Sequence, residues 1–507
     1  MKWQTLIAPV VTIALALSAL WARGGSRGIS LEPEGALVFD VRELETGQPM
    51  PVKLTFLGVR GTPTPHFTRN DIGHQVADDA VAAYNRVMSA TGHGAMYVPV
   101  GAYDVYLSRG PEYDLGVVRD VRVRPGVSEP AQVRATLRRA FATPGWVSGD
   151  FHVHAAPSPD SRVPMVDRLF EFVSDDVQVL GATDHNVVTD YQPLIADLRL
   201  RKYITSFAGD EVTTGPWGHF GAWPLPQDLE HAGHGAIAFV GLHTPEDLFR
   251  RIREAERGDG IINVHHPRID HEIGYFNLGG LDSAHLRWEK KGMALDFDAI
   301  EVLNGYQDSE RRSVDRVITD WINLLNHGHI VTATGNSDTH HLDHNIGGYP
   351  RNYVRVPDDR PEAVTPHVLA QAVRAHRLFF TTGPFVKLSV GRGQMGDLVR
   401  TDASGRVRVE IEVDAAPWID VSTVKLLVDG AEARKWEVAQ STDPVRLRQS
   451  FDQVVPRDSW LAVRVDGRRD EGPAVGDGKA FVVYPFALTN PVFVDRDGDG
   501  KFRAPEQ

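Results

Sequence analysis

Cysteine is absent from the 507 residues. That excludes disulfides, thiolate metal ligands, a cysteine nucleophile and a lipidated cysteine, so stability has to come from apolar cores and from bound ions. Basic excess is missing as well: 54 Lys and Arg stand against 67 Asp and Glu, a formal net charge of −13. With no basic block in the chain, no nucleic-acid partner is expected, and the acidic surface reads as a solvated one. Neither a Gly-rich phosphate loop nor a GxSxG elbow occurs, and no internal repeat or low-complexity run is found. The one long uncharged run covers residues 5–21; it follows Lys2 and ends at Arg23, Gly24 and Gly25. Residues 1–24 therefore read as a secretory signal. Its cleavage site is poor, with Leu20 and Trp21 before Ala22, so an uncleaved N-terminal anchor is the alternative. Both readings make the protein an exported one, periplasmic or secreted, touching a membrane only through that segment if at all.

What is present falls into blocks, and the length suggests about three domains. Over 30–143 the pattern is strand-like: Leu37, Phe39 and Val41 alternate, and Tyr103, Val105 and Leu107 share one face. Rich in Thr, Pro, His, Asp and Gly, 61–94 reads as a long insertion or loop. A small β-sandwich fits this block, which resembles carboxypeptidase-regulatory or transthyretin-like modules. From 145 to 385 short strands alternate with helices, the signature of an α/β domain. One helix is expected over 244–257, with Thr244 as N-cap, Pro245 in its first turn and Asp247 as capping partner. A second follows Ser313, turns Val317, Trp321, Leu324 and Leu325 inward, and stops at Gly328. Over 386–494 alternation returns, as in VRVEIEVDA and WLAVRVDG, and predicts another β-sandwich.

The middle block carries the chemistry. Nine metal-type side chains recur in DFHVHAAPSPDS, GATDHN, GDEVTTGPWGHF, NVHHPR and GNSDTHH: His152, His154, Asp160, His185, Glu211, His219, His266, Asp338 and His340. Imidazole and carboxylate are the ligands that borderline and hard divalent cations accept. Sixteen of the 21 histidines lie between residues 152 and 344, so the enrichment belongs to this block. Four of the five strings directly follow short apolar runs (WVSGDF, VQVLGAT, IINV, IVTATG), which is where a β/α barrel gathers catalytic groups.

Spacing suggests roles. Residues i and i+2 of a strand point to one side, so His152 and His154 can face one ion, as can Asp338 and His340. In TDHN, His185 is the expected ligand; Asp184 either orients a ligand imidazole or caps a turn. Glu211 is the candidate bridging carboxylate, with Asp210 as the alternative. His219 completes a second centre or is a structural histidine beside Trp217 and Phe220. His265 and His266 project to opposite sides, so one of the two is expected to bind. His341 and His344 read as solvent-facing or supporting groups. Arg268 either stabilises an anionic intermediate or pairs with a carboxylate, and Glu301 and Asn304 stand at a further strand end where they can line the pocket.

As a set and in this order, HxH, a downstream Asp, TDHN, Glu, HP and SDxH resemble the PHP superfamily (polymerase and histidinol phosphatase). The match is to its CehA/McbA, carbaryl-hydrolase-like branch, across 145–385. The resemblance implies a distorted (β/α)7 barrel holding two or three divalent transition-metal ions, Zn, Mn or Fe. It places His152, His154, Glu211 and Asp338 on the first ion, Glu211, His219 and His266 on the second, and Asp160, His185 and His340 on the third. It favours His266 over His265, since the family's histidine directly precedes proline. Asp160 stands where many relatives carry histidine, which leaves the third position open in occupancy and metal.

The tail holds a separate signal. Asp495, Asp497, Asp499, Gly500 and Glu506 match D-x-D-x-D-G-x5-E, so a structural Ca²⁺ over 495–507 is the expectation. With no exit helix possible, it is not expected to be a sensor.

The leading functional expectation is an exported metal-dependent hydrolase of a small-molecule ester, carbamate or amide. A water shared by two cations would act as nucleophile, with Glu211, Arg268 and Asp184 as the catalytic groups besides the ligands. A metal-dependent phosphoesterase is the runner-up. A non-catalytic surface or carbohydrate-binding protein that keeps the scaffold is the other alternative.

Overall fold

Strand outweighs helix in this chain, 40% against 14%. The structure is a computed structural model and describes residues 33–68, 73–269, 273–305, 311–343, 345–475 and 482–506. The 1–24 signal or anchor and His344 lie outside them. Among the described residues no helix is long and apolar enough to cross a membrane.

Two compact units can be separated. The first comprises 33–139 together with Val163–Asp176 and 341–343. Its strands form a three-stranded and a six-stranded sheet, whose inward residues, among them Leu37, Phe39, Leu54, Val87 and Val105, share one core. Period-two alternation supplies that face. The helix Met165–Ser174 packs on the strands Val52–Gly58, Ala80–Ala83 and Arg86–Ser89. Lys53, fully buried, ties Asp175 at its end with Nζ–O distances of 2.6 and 2.9 Å. Within the 61–94 stretch, the described residues 74–89 are not the loop that composition suggests. They contribute His74–Ala77 and the hairpin Ala80–Ala83/Arg86–Ser89, turned at Tyr84 and Asn85 with Tyr84 at φ 52°.

The second unit comprises Ala140–Arg162, Val177–His340 and 345–506. The expected distorted (β/α)7 barrel does not form. The described residues contain six α-helices and no closed barrel, fewer helices than a seven-fold β/α repeat requires. Instead two open sheets carry the strands that precede the histidine-rich strings. In the five-stranded sheet, Asp210–Thr214 pairs antiparallel with Gly218–Trp223, and that strand antiparallel with Ile261–Val264. Parallel pairing then continues to Ala299–Asn304 and Thr332–Asn336. The physical reason is connection length: antiparallel neighbours need only a tight turn, here Gly215–Pro216–Trp217, whereas a parallel pair needs a crossover. Apolar runs alone do not distinguish the two. The second sheet, of 11 strands, carries Trp146–Val153 between a parallel neighbour, Val179–Ala182, and an antiparallel one, Arg351–Arg355. It continues through Leu378–Thr381 to Phe486–Thr489 and Ser459–Asp466, so hydrogen bonding runs straight across position 385. A core of Val386, Val409, Val424 and Val463 lies between this sheet's C-terminal part and the four-stranded sheet containing Arg406–Asp414.

Helix Pro245–Ala255 buries Leu248, Phe249 and Ile252 on one stripe, and Thr244 Oγ1 accepts from Asp247 N at its start (3.1 Å). Directly after it Glu256 is buried, with Arg253 Nη1 3.8 Å from its carboxylate. Burial outweighs the arginine and pushes this carboxyl from 4.5 up to about 9. The folded state thus keeps a proton that the unfolded chain releases, so stability declines as pH rises through the window from 4.5 to about 9. Glu256→Gln is expected to flatten that decline and raise the melting temperature near about pH 8. Melting curves across pH in which wild type and variant run parallel would count against it.

Candidate metal centre

Backbone hydrogen bonds stitch the histidine-bearing loops together in pairs. Asp338 N donates to His152 O (2.9 Å) and His154 N to Thr339 O (3.1 Å), which fastens HxH to SDTH. Asn186 N donates to Glu211 O (3.1 Å) and Glu211 N to Asp184 O (3.3 Å), which fastens TDHN to GDE. His265 N donates to His219 O (3.2 Å), joining NVHH to GHF. Strand ends far apart in sequence are thereby brought to one place.

All nine residues singled out above converge there. His152 Nε2 lies 3.0 Å from Glu211 Oε1 and 3.1 Å from Asp338 Oδ1. His154 Nε2 is 3.1 Å from the same Asp338 oxygen and 3.3 Å from Glu211 Oε2. His219 Nδ1 and His266 Nε2 approach Glu211 Oε1 at 3.3 and 3.4 Å. On the outer side, Asp160 Oδ2 is 3.0 Å from His185 Nε2 and 3.3 Å from His340 Nε2. Four groups have donor atoms mutually within 4.8 Å: His154–Asp160–His185–His340, His152–His154–Asp338, His152–Glu211–His266 and His185–Glu211–His219. These buried groups can hold a metal ion. His219 and His266 fall into different groups, each sharing Glu211, rather than the single set the resemblance implies. His265 stands outside all four: its Nδ1 lies 2.9 Å from Glu211 Oε1, and its ring stacks on His152 at 3.6 Å. Gly221 makes room for it, since a Cβ there would come within 2.4 Å of His265 Nε2.

Several of the close approaches are not aligned hydrogen bonds. His152 Nε2, Glu211 Oε2, His219 Nδ1 and His266 Nδ1 are buried without an aligned hydrogen-bond partner, although His152 and Glu211 atoms sit about 3 Å from counter-groups. Buried polar atoms are normally satisfied. Donor atoms gathered within 4.8 Å of one another fit an arrangement for a cation, and the N/O set suits borderline divalent ions. The backbone is strained at two of these residues: His266 has φ 28° and Asp338 φ 54°.

Among the protein groups alone, burial works against charge everywhere, and the outcome depends on neighbours. For His152 burial is outweighed by Asp338, Glu211 and Glu301, which raise the imidazole well above its usual range. His185 is lifted to about 11 by Glu211 and Asp160 against the same penalty. His154 goes well below the usual value, through burial and the neighbouring His340. Despite burial, Glu211, Asp338 and Asp160 are held below the carboxylate range by the surrounding imidazoles. Without a cation the cluster keeps its carboxylates ionised and holds protons on His152, His185 and His340, protons that a bound cation would displace.

Other expectations are corrected. Arg268 does not face the centre. Its guanidinium grips Asp320 with both Nε (2.7 Å) and Nη2 (3.0 Å) and donates further to Leu281 O and Phe276 O, so its donors are committed to the buried scaffold. Asp184 anchors loops, accepting from Ala155 N (2.8 Å) and Thr189 Oγ1 (2.6 Å). Asp210 turns to Ile237 N (2.8 Å), which leaves Glu211 as the carboxylate among the histidines. Ligand orientation falls to groups the sequence did not flag. Ser158 Oγ contacts His154 Nδ1 (3.2 Å) and donates to Asp160 Oδ1 (2.9 Å), and Thr213 Oγ1 contacts His185 Nδ1. Serine and threonine are too common in loops to have signalled this.

At the tail, Asp495, Asp497 and Asp458 bring carboxylate oxygens together, an oxygen-only set of the kind hard cations take. Glu506 does not join them: its carboxylate lies 2.9 Å from His327 Nε2. Asp499 instead pairs with Arg503. Asp458, from a distant segment, had no signal in the loop motif.

No protein-family model, no curated protein and no solved structure matches this chain.

Proposed function

We propose that this protein is a divalent-metal-dependent hydrolase that cleaves a small ester, carbamate or amide. The observation that carries the reading is the convergence of His152, His154, Glu211 and Asp338 at about 3 Å, with His152 Nε2 and Glu211 Oε2 buried without an aligned hydrogen-bond partner. The motif order that resembles the PHP superfamily's CehA/McbA branch supports it, although the barrel that resemblance implies is not the fold found. His152, His154, Glu211, His266 and Asp338 would hold ions on the buried side, and Asp160, His185, His219 and His340 on the outer side. Bound cations supply Lewis acidity, polarising a substrate oxygen and acidifying water. Glu211 would tie the two sides together, since each of its oxygens lies against histidines of both.

Asp160 is half exposed, while Glu211 is fully buried, so substrate approaches from the Asp160, His185 and His340 side. The test is elemental analysis after gentle purification, followed by assays with an aryl ester, an aryl carbamate, an anilide and a nitrophenyl phosphate. Bound divalent metal and chelator-sensitive turnover of one of the first three is expected. A metal-free protein, or turnover of the phosphate alone, would overturn the reading.

A further inference from the structure

Glu301 looks by composition like a further ligand, yet its hydrogen bonds say otherwise. It stands inside the strand Ala299–Asn304 and is fully buried. Oε1 faces His152 Nδ1 (3.0 Å) and accepts from Asn336 Nδ2 (3.0 Å). Oε2 accepts from His266 N (2.8 Å) and Asn304 Nδ2 (2.9 Å). A carboxylate offers about four lone-pair sites, and four donors fill them, so none points to a cation.

Three of those partners lead straight to a candidate ligand. The His152 contact fixes the proton on Nδ1 and turns Nε2 toward Glu211 and Asp338. The His266 contact pins the backbone N–H of the residue with φ 28°, a conformation that persists only when its surroundings hold it. Asn304 spans onward, its Nδ2 also donating to Asp338 Oδ2 (3.1 Å). Burying a carboxylate is costly, and a packing role alone is served as well by a neutral or apolar side chain.

We propose that Glu301 is a positioning residue that sets His152, His266 and Asp338 together and binds no ion itself, an inference that rests on the metal-dependent reading above. Because His152 belongs to two of the donor groups, one substitution acts on both.

The test uses Co²⁺ as the probe metal, titrated into chelator-stripped full-length protein and followed by its visible absorption. In Glu301→Gln, Co²⁺ affinity is expected to fall about 10–100-fold, the range found when an orienting partner is lost, with altered absorption bands from distorted donors. Asp160→Asn is expected to spare those bands and weaken the outer ion alone. Wild-type affinity and bands in Glu301→Gln would overturn the positioning role while leaving the metal reading intact. Absence of Co²⁺ uptake by the wild type would overturn the metal reading and this inference with it. If Glu301→Gln does not fold by circular dichroism, Asn304→Ala replaces it. That variant removes the bridge from Glu301 to Asp338 and leaves Glu301 its contacts with His152 and His266; weaker Co²⁺ binding with shifted bands supports the proposal, and unchanged binding overturns it.

Discussion

Glu211→Gln is expected to emerge from purification with most of its divalent metal gone and its hydrolytic activity reduced in step. Glu211 is the group on which the donors converge: Oε1 meets His152, His219 and His266, and Oε2 meets His154 and His185. No other candidate ligand touches as many of the others among the described residues. Glutamine has the same shape, and its carbonyl oxygen can still accept from His265 Nδ1, so the fold is retained. What it removes is a negative charge in a dry site, where attraction to a cation is far stronger than in water. The affinity loss should exceed the roughly 10–100-fold that follows from losing an orienting partner. Elemental analysis after dialysis, with circular dichroism as the control for folding, measures it. A folded variant with wild-type metal content would remove the basis for the proposed function.

The second large effect is expected on stability. Stripping the protein with a chelator should lower its melting temperature, and added divalent ion should restore it in proportion to the logarithm of concentration. Ions that bind the native state and not the unfolded chain stabilise by about 2.7 kcal/mol at 100 times Kd and about 4.1 at 1,000 times. The donors lie buried against one another, with Asp338, Glu211 and Glu301 around one imidazole, so losing the cation leaves like and unlike charges crowded in a poorly solvated space. Calorimetry with and without chelator reads this directly. A melting temperature indifferent to metal across concentrations would show that these side chains hold nothing tightly.

How far the sequence could be read depended on what kind of information each residue carries. Imidazoles and acids at strand ends are chemically conspicuous, so HxH, TDHN and SDTH pointed to one place, and the backbone bonds between His152 and Asp338 show why they meet. The Thr244 cap was equally legible, because capping is local. Strand direction was not. The apolar runs before the motifs fit parallel or antiparallel pairing alike, and the three-residue turn at Gly215–Trp217 decided for a hairpin where a β/α repeat had been expected. Of the two roles open to Arg268 the structure shows the carboxylate pair, which could not be chosen beforehand for a related reason: HPR shows an arginine beside a candidate ligand, but only the fold brings Asp320 to it. Within the 61–94 stretch composition misled over 74–89, where Asp78–Asp79 and Tyr84–Asn85 are the turns between short antiparallel strands.

The chain passes between its two units more than once: Val163–Asp176 and 341–343 belong with the N-terminal sheets, while Asp160 and His340, just before each, belong with the other unit. No single scissile point therefore separates one unit from the other. Deleting everything up to Arg139 would strand the greasy face of Met165–Ser174 and leave Asp175 in the cold without its lysine. A cut at Arg139 would therefore not release a self-contained N-terminal module, because the helix that packs on its strands lies further along the chain.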